Sequence, residues 1–471
     1  MKGYGVISIG NPGWLEKPKP VAGELDAIVR PTLVAPCSSD THFMHGGSGD
    51  KNNVILGHEA IGVVVEVGKL VTKFKAGDKV VVPCTTPDWF GEGVQDGRYN
   101  SHDNAPLGSF KFLSAKDGVF AEYFHVNMAD ANLVKLPDNV KPEAALMTVD
   151  MMSTGFHGVE LAEVGFGHKV VVVGIGPVGL MAVAGAALRG AGQLIAIGTR
   201  PNCVKIAKEY GATDIVNYKD GDIVKQVKDI AGGSVDKVII AGGNAETLRD
   251  AMLMVKAGGV IASVNYYDIS ETFSIPTWAW GLGMANIDVR GGFCPGGGLR
   301  ISRLLALLAH GRIDTTKLIT HRFNGFDAIE EAFLLMDKKP ADLIKQVKDI
   351  AGGSVDKVII AGGNAETLRD AMLMVKAGGV IASVNYYDIS ETFSIPTWAW
   401  GLGMANIDVR GGFCPGGGLR ISRLLALLAH GRIDTTKLIT HRFNGFDAIE
   451  EAFLLMDKKP ADLIKPVVFI D

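Results

Sequence analysis

The chain has 471 residues, 47% of them hydrophobic and 21% charged, an ordinary globular composition long enough for two buried cores. A formal net charge of −4 excludes the basic footprint of a nucleic-acid binder, so no DNA or RNA partner is expected. The five cysteines, Cys37, Cys84, Cys203, Cys294 and Cys414, are too sparse and scattered for a disulfide framework, and the N-terminal stretch lacks the apolar core of a secretory signal. A cytoplasmic location is the default.

From Asp26 to Leu136 the sequence runs in short β-branched segments (DAIVRPTLVAP, AIGVVVEVG, DKVVVP, FAEYFHV) separated by glycine and polar turns, which predicts an all-β, barrel-like domain. Within it, Cys37 opens the run CSSDTH, and His58 and Glu59 follow the strand-like NVIL after Gly57. Thiolate and imidazole are ligands that zinc prefers, and Asp150, in DMMSTGFHG at the end of this region, is a third candidate. Two such ligands alone are weak evidence, since buried cysteines and hydrogen-bonded core histidines are both common.

From Lys169 the pattern alternates strands with helices, which predicts a doubly wound parallel sheet. The apolar stretch from Val170 to Leu188 is punctuated by Gly174, Gly176, Pro177 and Gly179, so it reads as strand, turn and helix and not as a membrane span. Gly174-Ile175-Gly176-Pro177-Val178-Gly179 is a GxGxxG turn between that strand and that helix, the context in which glycines let backbone approach a pyrophosphate. At the end of the next strand, where an acidic residue would bind the ribose of NAD, stands Gly198-Thr199-Arg200. Without a carboxylate to repel a 2′-phosphate, and with Arg200 able to pair with one, NADP(H) is preferred.

Gln226 to Lys345 recurs without a substitution as Gln346 to Lys465. The unit opens inside an apparent helix and is far longer than a solenoid repeat, so it reads as a duplication and not as a repeat architecture. Residues 1–150 are expected to form the barrel-like domain and 151–295 the dinucleotide-binding domain, with 296–345 returning to the first. The second copy occupies 346–465, and 466–471 is expected to be the closing strand of the first domain. Only one copy is expected to dock into the sheet. Copy one directly follows the preceding strands and is predicted to fill it. The surplus copy would then lack partner strands and expose apolar edges.

The motifs MKGYGVISIG, VAPCSSDTH, ILGHEAIG, VDMMSTGFHG, VVGIGPVGLMAVAGA, ATDIVNYKDG and ADLIKPVV resemble the zinc-dependent medium-chain alcohol dehydrogenases, most closely the NADP-dependent secondary-alcohol group. The resemblance covers Met1 to Lys345 and resumes at Pro466. It implies an α/β chain with a GroES-like β-barrel catalytic domain and a Rossmann domain, acting on a small alcohol or ketone and assembling as a homotetramer, with no membrane partner. It also implies one catalytic zinc on Cys37, His58 and Asp150, with Glu59 able to approach, and no structural zinc, because no four-cysteine cluster lies between Cys84 and Phe110. Cofactor contacts are implied at Ile175, Gly176, Pro177, Val178, Gly198, Thr199, Arg200, Tyr218, Val264, Asn265, Tyr266 and Lys339. Phe110 stands where the resemblance leads one to expect tryptophan and Cys84 where it leads one to expect alanine, so substrate preference does not carry over.

Ser39 and His42, two and five residues after Cys37, are suited to relay the alcohol proton to water. Two other readings stay open at the level of sequence: a zinc-free quinone or enoyl reductase of the same architecture, and an inactive duplicated fold that binds NADPH without turnover.

Overall fold

The computed structural model describes residues 1–47, 49, 51–98, 108–319, 322–337, 355–361, 364–384, 387, 390–412, 418–429, 438–445, 448–458 and 465–469. Contacts divide the chain into two units, Met1–Phe413 and Cys414–Asp471.

The first domain is built from β1 (Lys2–Ser8), β2 (Asn11–Glu16), β3 (Ala27–Val34), β4 (Val54–Ile55), β5 (Ala60–Val67), β6 (Lys79–Val82), β7 (Phe124–Val126) and β8 (Val134–Lys135). These form a three-stranded sheet, order β2-β1-β4, and a five-stranded sheet, order β7-β3-β5-β6-β8. The antiparallel pairing of β3 with β5 turns the inward valines of both strands onto a core with Phe112, Phe120 and Phe124.

The second domain contains β9 (Lys169–Val173), β10 (Gln193–Ile197), β11 (Asp214–Val216), β12 (Val235–Ile240), β13 (Val255–Ser263), β14 (Thr272–Pro276) and β15 (Asp288–Gly291). The β-branched run of β9 is buried on both faces, which suits the centre of a parallel sheet covered by helices. Pro177 occupies the first turn of the helix Pro177–Leu188, where its missing N–H costs nothing. The apolar stretch 170–188 therefore divides as the glycines indicated, and no helix among the described residues is long and apolar enough to cross a membrane. The repeat opens inside the helix Ile223–Ala231, which Asp222 caps by accepting from the amides of Val224 and Lys225.

Copy one supplies the second half of this sheet: β12 pairs with β9, β13 with β12 and β15 with β13, all parallel. Copy two repeats the elements as β16 (Val355–Ile360), β17 (Val375–Ser383), β18 (Thr392–Pro396) and β19 (Asp408–Gly411). The expectation that a surplus copy finds no partner strand is corrected here. β19 adds antiparallel to β15, giving one nine-stranded sheet of order β11-β10-β9-β12-β13-β15-β19-β17-β16, and β14 pairs with β18. The physical reason is that copy one leaves β15 as an open edge, and an identical strand satisfies its backbone groups. Among the described residues the edges of this sheet are β11 and β16, and on β16 Ile359 is 74% exposed.

After β15 the chain returns to the first domain. The helix Gly298–Ala309 buries Ile301, Leu304 and Leu305 with Ile61 and Val81, and Phe333 packs on Tyr4. Arg300 ties this return to the helix Ser153–Leu161 by donating to Glu160 at 2.6 Å and to the Ser153 carbonyl at 2.9 Å. Burial alone would raise the Glu160 carboxyl, but the His157 hydrogen bond and the Arg300 guanidinium carry it down to about 2. A depressed carboxylate stabilises the fold above its unfolded pKa, and that contribution is lost as pH falls through the folded value. Glu160→Gln should therefore lower the denaturant midpoint at neutral pH, with the gap to the unaltered chain closing between pH 4.5 and about 2.

The unit Cys414–Asp471 contains the helices Gly418–Ala429 and Ile449–Lys458 and the parallel strands β20 (Ile439–Asn444) and β21 (Lys465–Phe469). Within this unit β21 pairs parallel with β20.

Candidate active site

Cys37 sits at the N-cap of the helix Ser38–Met44, just beyond β3, and the third helical residue, Asp40, returns a carboxylate oxygen to the Cys37 amide at 2.8 Å. His58 follows Gly57, whose φ is +90° and whose missing Cβ would lie 2.3 Å from the Phe120 ring. Asp150 lies in a π-helical turn, Thr148–Met152, inserted between the helices Pro142–Met147 and Ser153–Leu161. Such turns recur at functional sites because they re-aim a side chain within a helix.

The residues marked in the sequence converge. Cys37 Sγ is 3.6 Å from Asp150 Oδ2, and His58 Nε2 is 3.5 Å from the same oxygen and 3.8 Å from Glu59 Oε1. The donor atoms of Cys37, His58, Glu59 and Asp150 all lie within 4.8 Å of one another. Ser39 Oγ is 3.3 Å from His58 Nε2, and the His42 ring packs 5.0 Å from that of Tyr266. Asp40, which spacing alone does not single out, accepts from the Gly57 amide at 3.1 Å and lies 3.2 Å from His58 Nδ1. A carboxylate on Nδ1 places the proton there and leaves the Nε2 lone pair facing the cluster. Thr154 performs the matching task for Asp150, donating to Oδ1 at 2.7 Å.

Electrostatics test whether this cluster suits a cation. Burial, reinforced by the Asp150 carboxylate, pushes the Cys37 thiol up to about 12. Burial and then Asp150 also push Glu59 well above the usual carboxylate range. Burial opposes the charged form of His58, yet Asp40, Asp150 and Cys37 together raise it. Both Glu59 oxygens are buried without a hydrogen-bond partner. One imidazole cannot offset a buried thiolate and two buried carboxylates, whereas a divalent cation can, and a sulfur, nitrogen and oxygen donor set is one that zinc accepts. The residues present fit zinc.

A family model described as "Alcohol dehydrogenase GroES-like domain" matches residues 23–138, and one described as "Zinc-binding dehydrogenase" matches 177–310. An NADP-dependent isopropanol dehydrogenase from Thermoanaerobacter brockii is 56% identical over 353 residues, covering 74% of this chain and 100% of that protein. The chain belongs to the zinc-binding alcohol dehydrogenases. A second NADP-dependent isopropanol dehydrogenase, from Clostridium beijerinckii, is 55% identical over 74% of this chain and 99% of that one. Among solved structures, an alcohol dehydrogenase from Thermus sp. ATN1 superposes with a TM-score of 0.65 at 29% identity, covering 72% of this chain and 97% of that one.

In this alcohol dehydrogenase the glycine turn has the geometry its sequence implies. Gly174 has φ +84°, and a Cβ on Gly179 would lie 1.8 Å from the Gly174 carbonyl oxygen. Arg200 leans back over the turn, with its guanidinium 3.6 Å from where a Gly176 Cβ would stand. Thr199 Oγ1 donates to the exposed Tyr218 hydroxyl at 3.1 Å. Val264 lies just beyond β13, and Asn265 Nδ2 donates to the Gly243 carbonyl at 3.3 Å. Lys339 lies outside the described residues.

A cavity of about 570 Å³ opens over the donor cluster and is lined by Ser39, His58 and Asp150, by the aromatic pair Phe110 and Phe293, and by Tyr266. Phe110 stands edge-on to the His58 ring at 5.2 Å and to Phe293 at 5.3 Å. Cys84 and Cys294, with sulfurs 3.2 Å apart, are buried beside Asp150. Sequence reading found Cys84 but not its pairing with Cys294, because the two meet only through the fold. Asp40 did carry a local signal: an acidic residue at the third position of a helix whose cap is the candidate ligand.

Proposed function

We propose that the chain oxidises small secondary alcohols, and reduces the corresponding ketones or aldehydes, with NADP(H) and one zinc ion held by Cys37, His58 and Asp150 with Glu59 in reserve. The observation that carries the reading is the four-residue donor cluster, with His58, Glu59 and Asp150 buried, at the floor of an aromatic-walled cavity that also reaches Tyr266 of the glycine-turn domain. The names of the two isopropanol dehydrogenases support the substrate class and the cofactor.

Zinc bound there supplies Lewis acidity, which favours loss of the alcohol proton near neutral pH. Ser39, 3.3 Å from His58 Nε2, is placed to take that proton, and His42, against Tyr266, to pass it outward. Phe110 and Phe293 exclude water and leave room for short alkyl groups. Asp40 and Thr154 hold His58 and Asp150 in orientation. Backbone amides at the start of the helix Pro177–Leu188 face the pyrophosphate, and Arg200 the 2′-phosphate. The reading carries with it a cytoplasmic location and a homo-oligomeric assembly.

The test is steady-state oxidation of propan-2-ol with NADP+ and with NAD+, alongside metal analysis of the purified chain. Turnover that prefers NADP+ and scales with bound zinc is expected. Turnover undiminished after complete removal of metal would overturn the zinc assignment and favour a metal-free reductase.

A further inference from the structure

The two copies meet about a local two-fold axis. In the β15–β19 ladder, Val289 stands opposite Val409, its own twin, flanked by Asp288 opposite Arg410 and Arg290 opposite Asp408. In the β14–β18 ladder, Ser274 likewise stands opposite its twin Ser394. The contacts between copies come in matched pairs. Phe273 meets Trp400 and Trp280 meets Phe393, each with ring centroids 5.6 Å apart. The Thr277 amide donates to the Glu391 carbonyl at 2.9 Å, and the Thr397 amide to that of Glu271 at 3.0 Å. A self-complementary contact of this kind is what two subunits make across a two-fold axis. Here one chain makes it with itself.

The symmetry is broken around the catalytic domain. Trp398, Gly401 and Met404 from copy two line the cavity above His58 and Asp150, while their twins Trp278, Gly281 and Met284 do not. Met404 is 4% exposed and Gly401 is buried, whereas Met284 is half-buried and Gly281 exposed. Asn406 Oδ1 reaches the catalytic side as well, 3.3 Å from His157 Nε2. With a single copy, the same geometry would need a second chain to bring this wall.

We infer that residues 364–384 and 390–412 act as a built-in partner subunit: they cover the two-fold face of copy one within the same chain and complete the substrate pocket with Trp398, Gly401 and Met404. The pocket role rests on the alcohol dehydrogenase reading; the packing does not. Because the copies are identical in sequence, position alone distinguishes Met404 from Met284, and single substitutions read that difference directly.

The experiment compares Met404→Ala with Met284→Ala in the full chain. Hydrogen peroxide oxidation followed by mass spectrometry reads the packing, since each variant keeps one of the two methionines in an otherwise repeated peptide. Met404 in the Met284→Ala chain should oxidise about fivefold more slowly than Met284 in the Met404→Ala chain. Steady-state kinetics read the pocket: Met404→Ala should raise KM for propan-2-ol about tenfold with kcat little changed, and Met284→Ala should stay within about twofold. Equal oxidation rates would overturn the packing. Unequal oxidation with unchanged kinetics in Met404→Ala would overturn the pocket role. Unequal oxidation in a chain that never turns over alcohols would overturn the functional reading while supporting the packing.

Discussion

Asp150→Ala should lose stoichiometric zinc and lower kcat/KM for propan-2-ol by about a thousandfold or more, since the several kcal/mol that a Lewis acid contributes to the transition state are at stake. Asp150 Oδ2 is the oxygen that both Cys37 and His58 face, at 3.6 and 3.5 Å. Without it the site keeps Cys37, His58 and Glu59, and burial, the largest cause of the raised Glu59 pKa, still holds that carboxyl toward the protonated form. Metal content by elemental analysis and NADPH binding by fluorescence separate local from global damage, because the glycine turn lies in the other domain and should still bind cofactor. Full activity with a full complement of zinc in this variant would remove Asp150 from the ligand set.

Arg200→Glu should lower kcat/KM with NADPH about a hundredfold while that with NADH changes only a few-fold. A hydrogen bond to a charged group contributes about 1.5–3 kcal/mol, and the substitution adds repulsion toward a 2′-phosphate. The geometry favours so large an effect. Arg200 caps the helix Pro201–Glu209 and leans over Gly176, and Gly198 and Thr199 before it carry no carboxylate that could hold a bare ribose. Parallel measurement with both cofactors is the check. An equal loss with each would mean that Arg200 shapes the loop and does not read the phosphate.

Much of this site was legible because its signals are local. The glycine turn sits between a β-branched strand and a helix with proline in its first turn, and Cys37, His58 and Asp150 each lie in a distinctive run of residues. The orientation of those groups was not legible. Asp40 reaches His58 across 18 positions, a contact that depends on how the elements pack, and Thr154 reaches Asp150 four residues away across a π-helical turn that the residue pattern does not announce. Phe293 enters the pocket from beyond β15 for the same reason, and Cys294 next to it meets Cys84 beside Asp150. The sequence exposed the repeat completely and still misled about its fate. A strand pattern says that an edge needs a partner, but not that its own duplicate can supply one in the opposite direction.

The outer side of β16 shows the other face of that solution. In copy one the equivalent strand, β12, lies against β9; copy two brings no such neighbour, and among the described residues β16 bonds only to β17. Ile359 is 74% exposed there, with Val384 at 56% nearby in sequence to β17. Among the described residues, the second copy therefore ends in an unpaired strand edge beside apolar side chains. Neighbouring molecules can pair along such a border, so self-association that rises with protein concentration is expected, and light scattering across a dilution series would read it.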